Sequence, residues 1–327
     1  MRASLLFRIS LLIITTAVFP LSSASANTDI LKFTEWLNGL RQEALGQGIS
    51  PATLDEALKG IIPNPKIVTL DRKQPESTRT FQEYLNLVVN KRRINKGRRM
   101  FRENRELLTT IGKRYGVQPR FIVALWGIET DFGSNTGNFS VIEALATLAF
   151  DGRRSAFFRK ELLNALKIID DDHIAAKDMQ GSWAGAMGQT QFMPSSFLQY
   201  AVDYNDDGKR DIWGTKADIF ASIANYLSQN KWEYDTTWGR KVRLPEGFDR
   251  AFVDKEKERP LSEWQRMGIR RTDGRDLPTR ELDASLVMPG GEDGEAFLIY
   301  ANYKNLLKWN RSYYFATAVG ILSDAVK

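Results

Sequence analysis

The 327-residue sequence contains no cysteine and a single histidine, His173. Without cysteine the chain can form no disulfide, thiol nucleophile or cysteine zinc site. One histidine in a polar stretch argues against a serine–histidine–aspartate triad and against a metal site built from several histidines. If the protein is an enzyme, carboxylates must therefore carry its proton chemistry.

The sequence also lacks an apolar run long enough to cross a membrane convincingly. The apolar stretch Leu11 to Phe19 is short, follows Arg2 and Arg8, and precedes the small residues Ala24-Ser25-Ala26. This order is typical of a secretory signal, predicted over residues 1–26, whose cleavage leaves a soluble protein outside the cytoplasm with no membrane anchor. An uncleaved anchor is the weaker alternative because the apolar centre is short.

Positive charge is only mildly in excess, with 46 lysines and arginines against 40 acidic residues. Such a balance suits contact with an anionic polymer or surface and does not by itself indicate nucleic acid. Basic clusters at 91–93 and 96–99 either meet an anionic partner or form a solvated helix face. No aromatic residues interleave them as in a platform for single-stranded nucleic acid, so no nucleic-acid partner is predicted.

Helical spacing of apolar residues dominates the chain, which predicts a mainly α protein. The patterns divide it into an N-terminal helical region (27–118), a central region (119–240), a small mixed α/β insert (241–296) and C-terminal helices (297–327). Within these regions we expect one helix over Lys91 to Lys113 and a proline-containing connection over 61–75. Further helices are predicted over Phe297 to Trp309 and Ser312 to Val326.

One carboxylate, Glu129, lies near the end of an apolar run predicted to be a helix from Pro119 to Gly133. Spacings of three and four predict a single buried stripe, formed by Ile122, Leu125, Ile128 and Phe132. Glu129 would lie beside this stripe and near Trp126, where loss of hydration raises the pKa of a carboxyl group. The alternative is a solvated charge near a helix end.

Small residues alternate with uncharged polar and aromatic residues from Gln180 to Ser196. Glycines let the backbone approach a ligand closely. Ser182 and Gln191 offer hydrogen bonds, and Trp183 and Phe192 offer flat apolar faces, a mixture that sugar ligands need. The alternative is a tightly packed turn between helices.

A loop of the EF-hand kind begins at Asp203, with glycine at its sixth position. The predicted ligands of a hard cation are Asp203, Asn205, Asp207, the Lys209 carbonyl and Asp211. Position twelve is Gly214 instead of glutamate, so closure would need a later carboxylate, of which Asp218 is the nearest. The alternative is an acidic turn without metal.

Several separated motifs, in order, resemble the lytic murein transglycosylase B family. They are Gly127-Ile128-Glu129-Thr130, Ala144 to Leu148, Gly181 to Ser196, the Asp203 loop, Ala224-Asn225-Tyr226-Leu227 and Trp309-Asn310-Arg311-Ser312. The resemblance implies a lysozyme-like (goose-type) helical core in a periplasmic enzyme that acts on peptidoglycan glycan strands. Cell-wall synthesis proteins are further candidate partners.

The same resemblance assigns roles to particular residues. Glu129 is implied to be the sole catalytic acid and base, and no cofactor is required for the chemistry. Substrate contacts are implied for Ser182, Gln191, Tyr226, Trp309 and Asn310, and a structural calcium ion for the Asp203 loop with closure by Asp218. Phe315 departs from the family, because some members have a tyrosine there.

The nearest acidic neighbour of Glu129 is Asp131, which on a continuing helix would point about 200° away. A mechanism with one carboxylate is therefore the economical hypothesis. It leads to three alternatives: a lytic transglycosylase that forms a 1,6-anhydromuramic end, a hydrolytic muramidase, and a peptidoglycan-binding protein without catalysis.

Overall fold

The computed structural model describes residues 22–73 and 79–327. The predicted signal segment therefore lies largely outside the described residues, and only its last five positions fall in the first helix. The described chain is mainly helical and contains one five-stranded sheet, which confirms the predicted fold class. None of its described helices combines the length and hydropathy that a bilayer crossing requires.

Six described helices precede the one that carries Glu129. They are α1 (Ser22–Gly46), α2 (Pro51–Ala57), α3 (Pro65–Arg72), α4 (Phe81–Val88), α5 (Lys91–Glu103) and α6 (Arg105–Tyr115). The prediction of a connection over 61–75 is wrong, because Asn64 caps a helix that begins at Pro65. The prediction of one helix over 91–113 is also wrong, since Asn104 interrupts the helix and separates α5 from α6.

The central helix is α7 (Pro119–Thr130), with proline at its first position. It ends three residues before Gly133, because Asp131 and Phe132 both adopt positive φ angles, 50° and 59°. The predicted single buried stripe is wrong: Phe121 to Gly127 are all buried, so the helix is enclosed on every side.

Close packing of α5, α6, α11 and α14 encloses α7. A Cβ atom added to Gly127 would lie 2.6 Å from the Phe132 ring, and one added to Gly97 of α5 would lie 2.6 Å from Val326 of α14. Glycine at 97 therefore allows α5 and α14 to approach closely, and glycine at 127 leaves room for the Phe132 ring.

The segment after α7 completes the helical core. Its elements are β1 (Phe139–Ser140), α8 (Val141–Phe150), α9 (Ser155–Asp170), β2 (Gln180–Gly181), α10 (Pro194–Tyr200) and α11 (Lys216–Gln229). Strands β1 and β2 pair antiparallel, which brings the loop after Glu129 beside the small-residue stretch from Gln180.

The insert is an antiparallel sheet with a short helix and its own apolar core around Trp264. Its elements are β3 (Gly239–Arg243), β4 (Asp254–Pro260), α12 (Leu261–Arg266), β5 (Arg270–Arg271), β6 (Asp283–Val287) and β7 (Ala296–Ile299), in the strand order β4-β6-β7-β3-β5. Leu286 is opposite Leu298, and Val242 is opposite Ala296.

Two helices follow the sheet, α13 (Ala301–Trp309) and α14 (Tyr313–Val326). The prediction of a helix from Phe297 is wrong for its first residues, because Phe297 to Ile299 pair with both β3 and β6. Ser312 caps α14 by accepting a hydrogen bond from the Phe315 N–H. Helix α14 packs directly on α7, and Asp324 near its end pairs with Arg120 at the start of α7.

Candidate active site

Glu129 lies in the last turn of α7 and remains partly exposed although most of that helix is buried. The indole Nε1 of Trp309 donates a hydrogen bond to Glu129 Oε1 over 2.6 Å. Burial raises the pKa of Glu129 to about 7, against the opposing effect of the Trp309 hydrogen bond. The side chain can therefore both donate and accept a proton near neutral pH.

Aromatic side chains form a wall beside the carboxylate. The ring centroid of Trp309 lies 4.6 Å from that of Tyr226 and 5.2 Å from that of Phe192. Tyr226 is buried, and burial raises its pKa to about 12, so it remains a neutral phenol. The structure thus brings three predicted site residues together: Glu129, Tyr226 and Trp309.

Trp126 does not have the position expected from its spacing to Glu129. Its indole donates a hydrogen bond to Gln189 Oε1 over 2.8 Å, and its ring packs against Phe132 and Phe220 in the core. The indole that contacts the carboxylate comes instead from Trp309, 180 residues away.

Ser182 and Gln191 lie on the small-residue stretch that faces the loop after Glu129. Ser182 Oγ accepts a hydrogen bond from the Ala186 N–H over 3.0 Å. Gln191 has a positive φ of 51°, and its Nε2 donates to the Thr136 and Gly188 carbonyls, each over 3.0 Å. Both side chains hold backbone segments together, and within the described chain neither is hydrogen-bonded to Glu129.

Asn310 directly follows Trp309 and is exposed. Its Oδ1 accepts a hydrogen bond from the Ser312 N–H over 3.0 Å, which stabilises the turn between α13 and α14. Its position beside the indole places it at the rim of the site.

Asp131 has three cationic partners on α5. The distances from its carboxylate are 3.0 Å to Arg92, 3.3 Å to Arg93 and 3.2 Å to Lys96. Burial alone would raise the pKa of Asp131, but hydrogen bonds from Arg92, Lys96 and Arg93 hold it below its ordinary value. The carboxylate of Asp131 therefore stays ionised, and the cations of α5 balance its charge.

Glu129 and Asp131 are separated for a different reason from the one that the sequence predicts. Helix α7 does not continue to Asp131, whose left-handed backbone turns it towards α5. The basic cluster, interpreted from sequence as a solvated face or a partner site, supplies the cations that bind it.

Tyr84 of α4 lines a cavity together with Asn310, and sequence reasoning missed it. Burial raises its pKa to about 12, and the charge of Glu129 adds to this shift. Its ring packs against Tyr314 with centroids 5.6 Å apart. Its only sequence signal is its place three residues after Phe81, which contacts the same tyrosine.

The Asp203 loop folds around two carboxylates that accept backbone hydrogen bonds. Asp203 accepts from the N–H groups of Asp207 and Gly208, at 3.2 and 2.8 Å. Asp218 accepts from those of Tyr204 and Asp211, at 2.9 and 2.8 Å. Burial raises the pKa of Asp218, and the charges of Asp203 and Asp207 raise it further.

This crowding of negative charge fits a cation, because a bound ion would relieve the repulsion among the three carboxylates. Asp211 likewise accepts hydrogen bonds within the loop, from Trp213, Gly214 and Thr215. Among the described residues, no group of three or more acidic, histidine or cysteine side chains is already arranged to hold a metal.

Comparison with known proteins agrees with this geometry. The family model described as Transglycosylase SLT domain matches residues 32–324. Membrane-bound lytic murein transglycosylase B of Escherichia coli is 33% identical over 218 residues, 65% of this chain. The match covers only 58% of the length of that relative.

Solved structures are similar over most of the chain. SltB3 from Pseudomonas aeruginosa, in complex with NAG-anhNAM-pentapeptide, is 44% identical with a TM-score of 0.87, covering 90% of this chain and 79% of that one. The Escherichia coli lytic transglycosylase SLT35, in complex with calcium, is 26% identical with a TM-score of 0.75, covering 91% and 92%. These matches confirm the expected lysozyme-like fold and the resemblance to the transglycosylase B group. The chain therefore belongs to the transglycosylase SLT domain family.

Proposed function

We propose that the protein is a lytic transglycosylase that cleaves the β-1,4 bond between N-acetylmuramic acid and N-acetylglucosamine in peptidoglycan and leaves a 1,6-anhydromuramic end. The observation that carries this proposal is Glu129, an isolated carboxyl group with a pKa of about 7 beside an aromatic wall. Support also comes from the similarity to membrane-bound lytic murein transglycosylase B, and from the NAG-anhNAM-pentapeptide bound to SltB3.

In the first step Glu129 acts as the acid. Its proton passes to the glycosidic oxygen as the bond from that oxygen to the muramic C1 breaks. The electron pair of this bond stays with the departing sugar oxygen, and the substrate's own 2-acetamido group stabilises the positive C1. No second protein carboxylate is needed for this step.

In the second step the ionised Glu129 acts as the base. It takes the proton of the muramic C6 hydroxyl while that oxygen bonds to C1 of the same sugar. No water is consumed, and Glu129 ends protonated as it began. Because the nucleophile is tethered to the reacting carbon, it has a high effective molarity.

The environment of Asp131 favours this route over hydrolysis. Glycosidases that activate water or form a covalent intermediate use a second carboxylate of the protein, which acts on the reacting sugar or on the attacking water. Asp131, the nearest acid along the chain, is bound by three cations of α5 instead. The proposed sugar contacts are Ser182, Gln191, Tyr226, Trp309 and Asn310, with the glycan strand as substrate.

Product mass separates the candidate functions. Purified sacculi digested with the protein should release muropeptides with anhydro ends, which are one water lighter than hydrolysis products. Hydrated ends would instead show a muramidase. Binding to sacculi with no soluble fragments would show a protein without catalysis.

We also propose that residues 1–26 direct the chain to the periplasm and that the Asp203 loop binds a structural calcium ion. Asp203, Asp207 and Asp218 would supply its carboxylates, and the calcium complex of SLT35 supports this assignment. The ion would stabilise the loop and take no part in the chemistry.

Thermal unfolding with calcium and with a chelator tests the calcium proposal. We expect calcium to raise the Tm of the wild type, and not that of Asp203→Asn, whose loop has lost one formal charge. Identical wild-type curves under the two conditions would contradict the proposal.

A further inference from the structure

Glu161 is a buried carboxylate to which the proposed mechanism gives no role. It lies in the middle of α9 and is only 2% exposed. Its Oε2 accepts a hydrogen bond from the Ser195 N–H over 2.8 Å, and its Oε1 accepts one from the Ser195 hydroxyl over 2.7 Å. A carboxylate taken out of water is costly unless such bonds compensate it. Both oxygens of Glu161 are therefore committed to one residue at the start of α10.

Within the described chain Glu161 forms no salt bridge. Arg159 and Lys167 of the same helix pair with Glu43 and Asp171 instead. The positive partner of Glu161 is the N-terminus of α10, because the first N–H groups of a helix have no acceptor within it and carry partial positive charge.

Helix α10 has no capping group of its own. Met193 stands at its N-cap position, where no side-chain hydrogen bond is made, and Pro194 at the start of the helix has no N–H. Ser195 thus carries the first N–H of the helix, and its acceptor comes from α9, 34 residues away. Glu161 therefore fixes the place where α10 begins.

The aromatic wall beside Glu129 depends on both ends of α10. Phe192, two residues before the helix, packs against Trp309 with ring centroids 5.2 Å apart. Tyr200, the last residue of the helix, has its ring centroid 4.5 Å from that of Tyr226. A shift at the start of α10 would therefore displace the rings that support the wall.

We propose that Glu161 is a positioning residue for glycan binding, which acts through Ser195 to hold the aromatic wall in its binding shape. The inference rests on the proposed function, in which Tyr226 and Trp309 contact the sugars. Glu129 itself is held by α7 and by its hydrogen bond from Trp309 of α13, so its proton transfer does not depend on the start of α10. Loss of Glu161 should therefore weaken binding of the glycan and change the chemical step much less.

Steady-state kinetics on soluble glycan strands test this separation. Glu161→Ala should raise KM about tenfold, the factor expected for one charge-assisted hydrogen bond, and lower kcat by less than about twofold. Glu161→Gln should recover most of the affinity, because its amide oxygen can accept from the Ser195 N–H and its amide nitrogen can donate to the Ser195 hydroxyl. Ser195→Ala removes only the hydroxyl and should raise KM about threefold, so it carries the same test if Glu161→Ala does not fold.

Asp71→Ala is the matched control, because Asp71 is also a buried carboxylate but pairs with Arg153 and Arg154 at the turn before α9. It should lower the Tm and leave KM unchanged. An equal rise of KM in Asp71→Ala and Glu161→Ala would show a general loss of stability and overturn the inference. An unchanged KM in Glu161→Ala, or a loss confined to kcat, would overturn it as well.

Calorimetry separates failure of this inference from failure of the proposed function. In a Glu129→Gln background, adding Glu161→Ala should raise the Kd of NAG-NAM-pentapeptide, a ligand of SltB3, about tenfold. An unchanged Kd, with release of anhydro products by the wild type, would refute the role of Glu161 and leave the function standing. A raised Kd, with hydrated products from the wild type, would support the positioning role and refute the transglycosylase reaction.

Discussion

The two acids at the end of α7 lie two residues apart and have opposite surroundings. Glu129 faces aromatic rings and a single hydrogen-bond donor, and burial raises its pKa to about 7. Asp131 faces α5, whose arginines and lysine outweigh the effect of burial and lower its pKa. One side of the helix end thus raises the pKa of a carboxyl group, and the other side lowers it.

The difference shows that the surroundings of each carboxyl group, and not its place in the sequence, decide its pKa. Where the environments of two titratable groups push their pKa values apart, the acid is the group with the raised value. The left-handed residue at 131 produces this division, because it turns one carboxylate to α5 and leaves the other at the aromatic wall. A change at Glu129 should therefore mainly affect activity, and a change at Asp131 should mainly affect stability.

Glu129→Gln is expected to have the largest effect, a loss of about 10² to 10⁴ in turnover. The amide keeps the shape of the side chain but cannot transfer the proton. The rate of anhydro-product release from sacculi measures the loss. Asp131→Asn, the matched variant, should lose much less activity, and similar losses in the two would contradict the division of roles.

The pH dependence of stability should have opposite signs for the two acids. Because folding raises the pKa of Glu129 from 4.5 to about 7, the folded state holds the extra proton, and stability falls as pH rises through this window. At about 1.4 kcal/mol for each pKa unit, the loss is on the order of 3 kcal/mol above pH 7. Asp131, with its lowered pKa, contributes stability above 3.8 that is lost as the solution is acidified further.

Urea unfolding at two pH values measures these contributions. Glu129→Gln should be more stable than the wild type at pH 8 and equal to it at pH 4. An equal difference at both pH values would show that the carboxyl group is not held protonated by burial.

Asp131→Asn should destabilise the protein by about 1 to 3 kcal/mol at pH 7, the range for loss of charged hydrogen bonds. The side chain is 13% exposed, and its removal leaves Arg93 and Lys96, themselves 14% and 18% exposed, without their anion. Urea unfolding measures the change. As a control, Arg99→Ala breaks an exposed pair on the same helix and should cost less than about 1 kcal/mol.

Trp309→Phe should have the smallest effect, on the order of 1 kcal/mol. It removes the N–H donor that lowers the pKa of Glu129, so the pKa should rise by up to about one unit. The alkaline limb of the kcat/KM profile should move to higher pH by that amount. Trp126→Phe, which removes an indole that does not contact Glu129, should leave the limb in place.

Local signals in the sequence predicted much of the helical core. Pro119 begins α7 as expected, and α14 (Tyr313–Val326) matches the helix predicted over Ser312 to Val326. Glu129 stands out in the sequence because it follows an apolar run in a chain without cysteine and with one histidine. These features depend on neighbouring residues, so they can be seen without the fold.

The errors concern residues whose conformation depends on distant partners. Phe297 to Ile299 are apolar enough for a helix, yet they form a strand because β3 and β6 flank them. The sequence predicts Asp131 on a continuing helix, but cations of α5 bind it in a left-handed turn. Only the family resemblance points to Trp309, since nothing in its spacing to Glu129 links the two residues.

The hydrogen bond from Trp309 to Glu129 joins residues 180 positions apart, across the whole sheet insert. Contacts of such separation form late, because the loop between them must close first. We therefore expect the helical core to gain protection from hydrogen exchange before the environment of Glu129 does. The carboxyl group would then remain an ordinary solvated acid until α13 and α14 dock, so catalytic competence would be the last property that this chain acquires as it folds.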